Sequence, residues 1–201
     1  MAKLYFRYGA MNSGKSTSLL QTAHNYQERG MNIVLMKPSK DKKAEEYIES
    51  RLGVGRKVDY LIGEDESILD IVSTLKDISC ILVDEAQFLV PFQVDELLRV
   101  TTDYNIPVIC YGLRTDFKTN GFPGSIRLLE LAHTIEEMKT ICRCGNKATF
   151  NARFVNGMLV TEGEQIAIDG FDSVTYESMC PKCYYEKSNK IKKLTRRINE
   201  N

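Results

Sequence analysis

The chain has 201 residues with 27 basic and 27 acidic side chains, so its net charge is zero and no overall field draws it to nucleic acid or to an anionic membrane. That length suits one α/β domain, or one domain with a small appendage. No apolar run approaches the roughly 18 residues of a membrane span, and the N-terminal segment reads as a strand rather than a signal peptide, so a cytoplasmic protein without a membrane partner is expected.

Leu4 to Tyr8 reads as a short β-strand, and the stretch after it, Gly9-Ala10-Met11-Asn12-Ser13-Gly14-Lys15-Ser16, matches the pattern G-x-x-x-x-G-K-[ST]. From Thr17 to Arg29, Leu19, Leu20, Ala23 and Tyr26 recur at helical spacing until Gly30. Strand, glycine-bearing loop and helix are the context in which this pattern binds a polyphosphate. Glycines let successive N–H groups point inward, and the helix adds its positive dipole end. Lys15 would reach the β- and γ-phosphoryl oxygens, and Ser16 would offer its hydroxyl to a bridging Mg²⁺.

Asn32 to Lys37 is an apolar strand, and the polar segment from Pro38 to Lys57 shows no strong periodicity and reads as a loop or excursion. Glu66 to Lys76 carries Ile68, Leu69, Ile71, Val72 and Leu75 on one helical face and returns to a strand at Ile78 to Val83. A helix at Phe92 to Tyr104, a strand at Ile106 to Tyr111, a helix at Ser125 to Ala132 and a last strand at Thr134 to Thr140 continue the alternation. The expected fold is therefore α/β, a parallel sheet with helices on both faces. Beyond Thr140, short alternating runs at Ala148 to Phe154 and Met158 to Thr161, separated by glycines, suggest a small β-rich appendage. The expected domains are 1–140 and 141–201. The basic tail from Lys187 to Asn201 has no interleaved aromatic residues past Tyr185 and reads as a solvated helix or frayed end.

Three constellations carry chemistry. The apolar strand Ile81-Leu82-Val83 ends in Asp84-Glu85, where Asp84 would hold the Mg²⁺ through its water shell. Strand side chains alternate faces, which leaves Glu85 free to accept a proton from an attacking hydroxyl. The loop after Tyr111, with Phe117 and Phe122, joins Phe88 and Met11 as candidates for a flat apolar slot that suits a nucleobase, with core packing as the competing account. Cys142, Cys144, Cys180 and Cys183 supply four thiolates, enough to close a tetrahedral structural Zn²⁺ site in a reducing compartment. Cys80 and Cys110 lie in apolar runs and read as core, and His24 and His133 as structural.

Taken together these motifs resemble the thymidine kinase family of the zinc-containing, tetrameric type found in bacteria, some viruses and the animal cytosol. The resemblance is carried by Ala10 to Thr17, Val83-Asp84-Glu85-Ala86-Gln87-Phe88, Tyr111 to Phe117, Gly163-Glu164-Gln165 and Tyr176-Glu177-Ser178-Met179-Cys180. It implies phosphoryl transfer from ATP to the 5′-hydroxyl of deoxythymidine, with Glu85 as catalytic base and Asp84 and Gln87 joining residues 9–16 in the nucleotide site. It also implies a thymine pocket of Met11, Phe88, Leu113, Phe117, Phe122 and Tyr176, covered by a lasso from Gly163 to Tyr176 in which the backbone of Gln165 and Ala167 meets the base. A homotetramer inhibited by the triphosphate product, dTTP, is a further implication. The chain departs from the family pattern in offering Asp41-Lys42-Lys43 where Asp-x-Arg is usual near the sugar, in a longer stretch from Asp169 to Thr175, and in a C-x-C first cysteine pair.

Two other classes stand beside this reading. A P-loop ATPase acting on nucleic acid also uses an Asp-Glu pair at a strand end, but it needs an arginine finger and a basic track, against which the zero net charge argues. A zinc-stapled binding module with a degenerate nucleotide site conflicts with the intact set Lys15, Ser16, Asp84 and Glu85.

Overall fold

The structure, a computed structural model, describes residues 1–39, 46–51, 53–163, 165 and 173–189. The chain divides into two units, one of Met1–Tyr8, Gly14–Arg114 and Phe122–Met138, the other of Gly9–Ser13, Thr115–Gly121 and Lys139–Asn201.

The first unit runs β1 (Leu4–Tyr8), α1 (Lys15–Glu28), β2 (Ile33–Pro38), β3 (Tyr47–Glu49), β4 (Gly55–Lys57), β5 (Tyr60–Ile62), α2 (Ile68–Ser73), β6 (Cys80–Val83), α3 (Pro91–Asp103), β7 (Val108–Gly112), α4 (Pro123–Leu131) and β8 (Thr134–Glu137). Six strands form one sheet in the order β5-β2-β6-β7-β1-β8, every pair parallel. Alternation along each strand feeds two cores, because successive side chains leave a strand on opposite faces. Leu35, Leu82 and Ile109 join Leu19, Leu20 and Ala23 of α1, whereas Val34, Met36, Ile81, Val83, Val108 and Cys110 join Ile68, Val72, Val94, Leu97, Val100 and Leu128 of α2, α3 and α4. Helices therefore cover both faces of a parallel sheet, as the continuous apolar strands imply.

Structure departs from pattern in three places. The polar segment between β2 and α2 contains an antiparallel hairpin, β3 with β4, in which Ile48 is buried. It also contains β5, a short edge strand whose entry is fixed by Asp59, which accepts a bond from Leu35 N at 2.7 Å and donates its own N–H to Leu35 O at 2.9 Å. The third departure is α2, shorter than its apolar face suggests because Ser67 caps it, accepting from Asp70 N at 3.2 Å, and because Asp77 adopts φ 54° beyond its end. Cys80 and Cys110 are fully buried in the sheet, and His133 accepts a bond from Leu4 N at 3.1 Å through Nδ1.

The second unit holds the ribbon of β9 (Thr140–Ile141) with β10 (Lys147–Ala148), and a three-stranded antiparallel sheet in the order β12-β11-β13, formed by β11 (Phe150–Val155), β12 (Met158–Val160) and β13 (Val174–Met179). Residues 181–189 are helical. Its core is small, with Ala148, Ala152, Leu159, Met179 and Tyr184 packed around Cys142 and Cys180. A core of that size needs a staple, which a metal can supply.

Candidate active site

The phosphate loop begins where β1 ends. Asn12 and Gly14 both adopt positive φ, 62° and 78°, and Gly14 caps α1 so that Ser18 N reaches Gly14 O at 2.9 Å. An added Cβ at Gly14 would meet nothing within 4 Å, so backbone conformation rather than space calls for glycine there. The Ser13 hydroxyl is buried and has no hydrogen-bond partner among the described residues, the condition an anion in the loop would relieve. Lys15 and Ser16 open the helix, with no acidic residue in its first turn to compete for that anion.

Burial lowers the Lys15 ammonium from its ordinary value, and the charges of Glu85 and Asp84 oppose the shift. Asp84 is 4% exposed, and burial, reinforced by the neighbouring Glu85, pushes its carboxyl up to about 7 against the opposing charges of Lys37 and Lys15. A divalent cation beside Asp84 would favour its ionised form, and the Ser16 hydroxyl and the Asp84 carboxylate are oxygen donors of the kind that could hold Mg²⁺. Strand alternation is not what distinguishes Asp84 from Glu85: β6 ends at Val83, and Glu85 stands at φ 50° at the head of a 3-10 turn over Ala86–Phe88. A left-handed non-glycine residue at this point is strained, and surrounding contacts must hold it.

Those contacts come from Gln87. Its side chain is 1% exposed, donates through Nε2 to Glu85 Oε2 at 2.5 Å, and accepts through Oε1 from Leu113 N at 2.9 Å. Gly112 leaves room for it, since a Cβ there would come within 2.8 Å of Gln87 Oε1. Gln87 therefore meets Glu85 and the end of β7, and its described bonds are to those protein groups. Ser125 Oγ donates to Leu113 O at 2.5 Å, so α4 secures the same strand end.

The aromatic candidates divide between the two units. In the first, Phe88 and Phe122 pack edge to face with centroids 5.5 Å apart, and Leu113 is 9% exposed. In the second, Phe117 is 2% exposed and lies under the Arg153 guanidinium at 3.5 Å, with Tyr176 on the same cation at 6.0 Å. Met11 is half-buried in the second unit. Gln165 donates through Nε2 to Asp116 Oδ2 at 3.2 Å. Ala167, most of the expected lasso and the Asp41-Lys42-Lys43 stretch lie outside the described residues, as does most of the basic tail. Arg153 was not legible beforehand; its one signal is a charged residue inside the apolar run of β11.

The four expected cysteines converge, with their sulfurs all within 4.8 Å of one another and Cys144 Sγ 3.5 Å from Cys180 Sγ. Ligands at about 2.3 Å in a tetrahedron stand roughly 3.8 Å apart, so the cluster fits Zn²⁺ with little adjustment. Cys183 N donates to Cys180 Sγ at 3.5 Å and Asn146 Nδ2 to Cys144 Sγ at 3.3 Å, bonds that favour thiolates. A backbone bond from Asn146 draws Cys144 down to about 6, while the bonds shared with Cys144 and Cys180 push Cys183 up to about 12. Four thiols this close cannot all ionise without a cation. All six cysteines are free.

A phosphate loop after one strand of a parallel sheet, with a buried acid at the end of another strand two places away, defines a nucleoside-triphosphate-using α/β protein. The chain belongs to the thymidine kinase family: the model described as "Thymidine kinase" matches residues 2–184. Among its relatives, the thymidine kinase of Ruegeria pomeroyi is 46% identical over 92% of this chain and 95% of its own length. That of Idiomarina loihiensis is 48% identical over 92% and 97%, and that of Streptococcus thermophilus 47% identical over 92% and 94%. A chain from a solved structure of Pif1 helicases unwinding forked DNA overlaps 68% of this chain and 39% of its own at 16% identity with a TM-score of 0.37, too slight a likeness to bear on fold or activity.

Proposed function

We propose that this protein transfers the γ-phosphoryl group of ATP to the 5′-hydroxyl of deoxythymidine, giving dTMP and ADP in nucleoside salvage, with Glu85 as general base. The carrying observation is the electrostatic cluster of Lys15, Asp84 and Glu85 in a chain of the thymidine kinase family.

In this reading the loop from Gly9 to Ser16 cradles the phosphates, and Lys15 opposes the charge that collects on the β- and γ-oxygens as the bond to ADP breaks. Ser16 and Asp84 are the residues that would hold a Mg²⁺ ion, which when bound would supply positive charge against the phosphates. Glu85, steadied by Gln87, accepts the proton of the 5′-hydroxyl as its oxygen bonds to phosphorus. Met11, Phe88, Leu113, Phe117, Phe122 and Tyr176 make the apolar contacts to thymine, and the backbone of Gln165 and Ala167 reads its polar edge. Residues 1–140 act as the ATP-binding core and 141–201 as a zinc-held lasso domain. The protein works as a cytoplasmic homotetramer on small molecules rather than nucleic acid, under feedback by dTTP. Among the described residues no helix is long and apolar enough to cross a membrane.

The test is Glu85→Gln, in which the amide oxygen can still accept from Gln87 while the proton acceptor is lost. Turnover should fall by about 10² to 10⁴ with ATP affinity retained. Near-full turnover at saturating thymidine would remove Glu85 from the mechanism.

A further inference from the structure

The leading half of the phosphate loop is fastened by side chains from three strands of the second unit. Asn151, in β11 and 3% exposed, accepts a bond from Met11 N at 2.8 Å and donates one to Thr115 O at 3.0 Å. These partners, one N–H and one carbonyl, fix the orientation of the amide unambiguously. Ser178, which lies opposite Asn151 in the ladder and is 6% exposed, donates to Met11 O. Thr140 Oγ1 donates to Asn12 O at 3.2 Å. Both backbone polar groups of Met11 are thus taken by side chains, and the next carbonyl by a third.

A phosphate-binding loop works only if its free N–H groups converge, and a peptide flipped by half a turn offers a carbonyl where a phosphate oxygen should sit. Loop backbone has little of its own to prevent that, and Asn12 stands at φ 62°, in the left-handed region that asparagine tolerates better than most residues. Because the Met11 N–H is held by Asn151, it points at protein rather than phosphate.

We propose that Asn151 and Ser178 are positioning residues for nucleotide binding: they clamp the Met11 peptides so that the loop is set for phosphate before ATP arrives. The proposal rests on the reading of residues 9–16 as an ATP-phosphate loop. Their described bonds are to the protein backbone, and their contribution falls on phosphate affinity rather than on recognition of ATP's adenine or ribose.

The experiment measures dissociation constants for Mg-ATP and for Mg-tripolyphosphate by calorimetry on the wild-type protein, Ser178→Ala, Ser178→Thr and Asn151→Ala, with zinc content and Tm recorded for each. Asn151→Ala should weaken both ligands about tenfold, equivalent to about 1.4 kcal/mol. Ser178→Ala should weaken both by about three- to tenfold, and Ser178→Thr, which keeps the hydroxyl, should restore binding to within about twofold, with zinc content unchanged throughout. If Asn151→Ala does not fold, the serine pair decides. Wild-type binding of both ligands by Ser178→Ala would overturn the inference, as would equal loss in the alanine and threonine variants. A wild-type protein that fails to bind Mg-ATP would instead strike the phosphate-loop reading itself.

Discussion

Gly112→Ala is a one-methyl change that should reach Glu85, the proposed general base, through a single intermediary. The added Cβ would lie 2.8 Å from Gln87 Oε1 and 3.1 Å from Gln87 N, so the amide must give way by about half an ångström or more to reach ordinary contact. It has nowhere easy to go, being 1% exposed and held by Leu113 N at 2.9 Å on one side and Glu85 at 2.5 Å on the other. The displacement should pass to Glu85, which sits at φ 50° and depends on that bond. Misplacing a catalytic group by about 1 Å can cost 10²-fold, so kcat at saturating ATP and thymidine should fall by about 10- to 100-fold, with about 1–3 kcal/mol of stability lost to overpacking. An ADP-release assay with a parallel melting curve measures both. Gln87→Ala should slow turnover on the same scale by removing the support itself, and adding Gly112→Ala to it should cost clearly less than Gly112→Ala costs alone, because the obstructing oxygen is gone and only the 3.1 Å approach to Gln87 N remains. Wild-type kcat in Gly112→Ala, or losses that multiply in the double variant, would refute the argument that Gly112 acts through Gln87.

Gly124→Ala should be a stability defect rather than a catalytic one: its Cβ would fall 2.5 Å from Leu89 O and 2.8 Å from Ala86 O, backbone atoms that move only if α4 shifts, and a Tm unchanged within a degree would contradict it. Cys180→Ser should lose one zinc per chain by elemental analysis and, because Ser178 and Thr140 each lie two residues before a cluster cysteine, should weaken Mg-ATP as well as thymidine; full retention of zinc would exclude Cys180 as a ligand. Among nucleosides, kcat/KM should rank thymidine, then deoxyuridine about fivefold lower for the lost methyl contact, then deoxycytidine at least about 30-fold lower because its N3 and 4-amino group reverse thymine's donor and acceptor. Comparable values for thymidine and deoxycytidine would defeat base reading by the backbone of Gln165 and Ala167.

What was legible in the sequence is what local periodicity and contiguous motifs encode. The β1, loop and α1 succession, the β6 strand ending at Asp84 and the two cysteine pairs each announce themselves within a few residues, because one strand, one turn or one pair of ligands is enough chemistry to recognise. Edge strand β5 was hidden because three residues show no period and its anchor is a side chain, Asp59, bonded to a neighbouring strand. Gln87 stood in plain view inside a motif, yet nothing local shows that its amide bonds to both Glu85 and Leu113 N.

Asn151 sharpens that point, since its partner Met11 is 140 positions away and no window of sequence contains both. Its signal is of a different kind. Asparagine is poorly suited to a strand, and arginine in a buried strand position is costlier still, so β11 with Asn151 and Arg153 breaks the local rule twice within three residues. An unfavourable local choice persists when a long-range contact outweighs it, and here both residues have one: the Met11 backbone for Asn151, the Phe117 ring for Arg153. Replacing Asn151 with valine should therefore raise the intrinsic preference of β11 for a strand and still destabilise the protein, because the part-buried Met11 N and Thr115 O would lose their partner at up to about 1–3 kcal/mol apiece. A valine variant more stable than the wild type would show that strand preference outweighs those two bonds, and that the loop finds other partners.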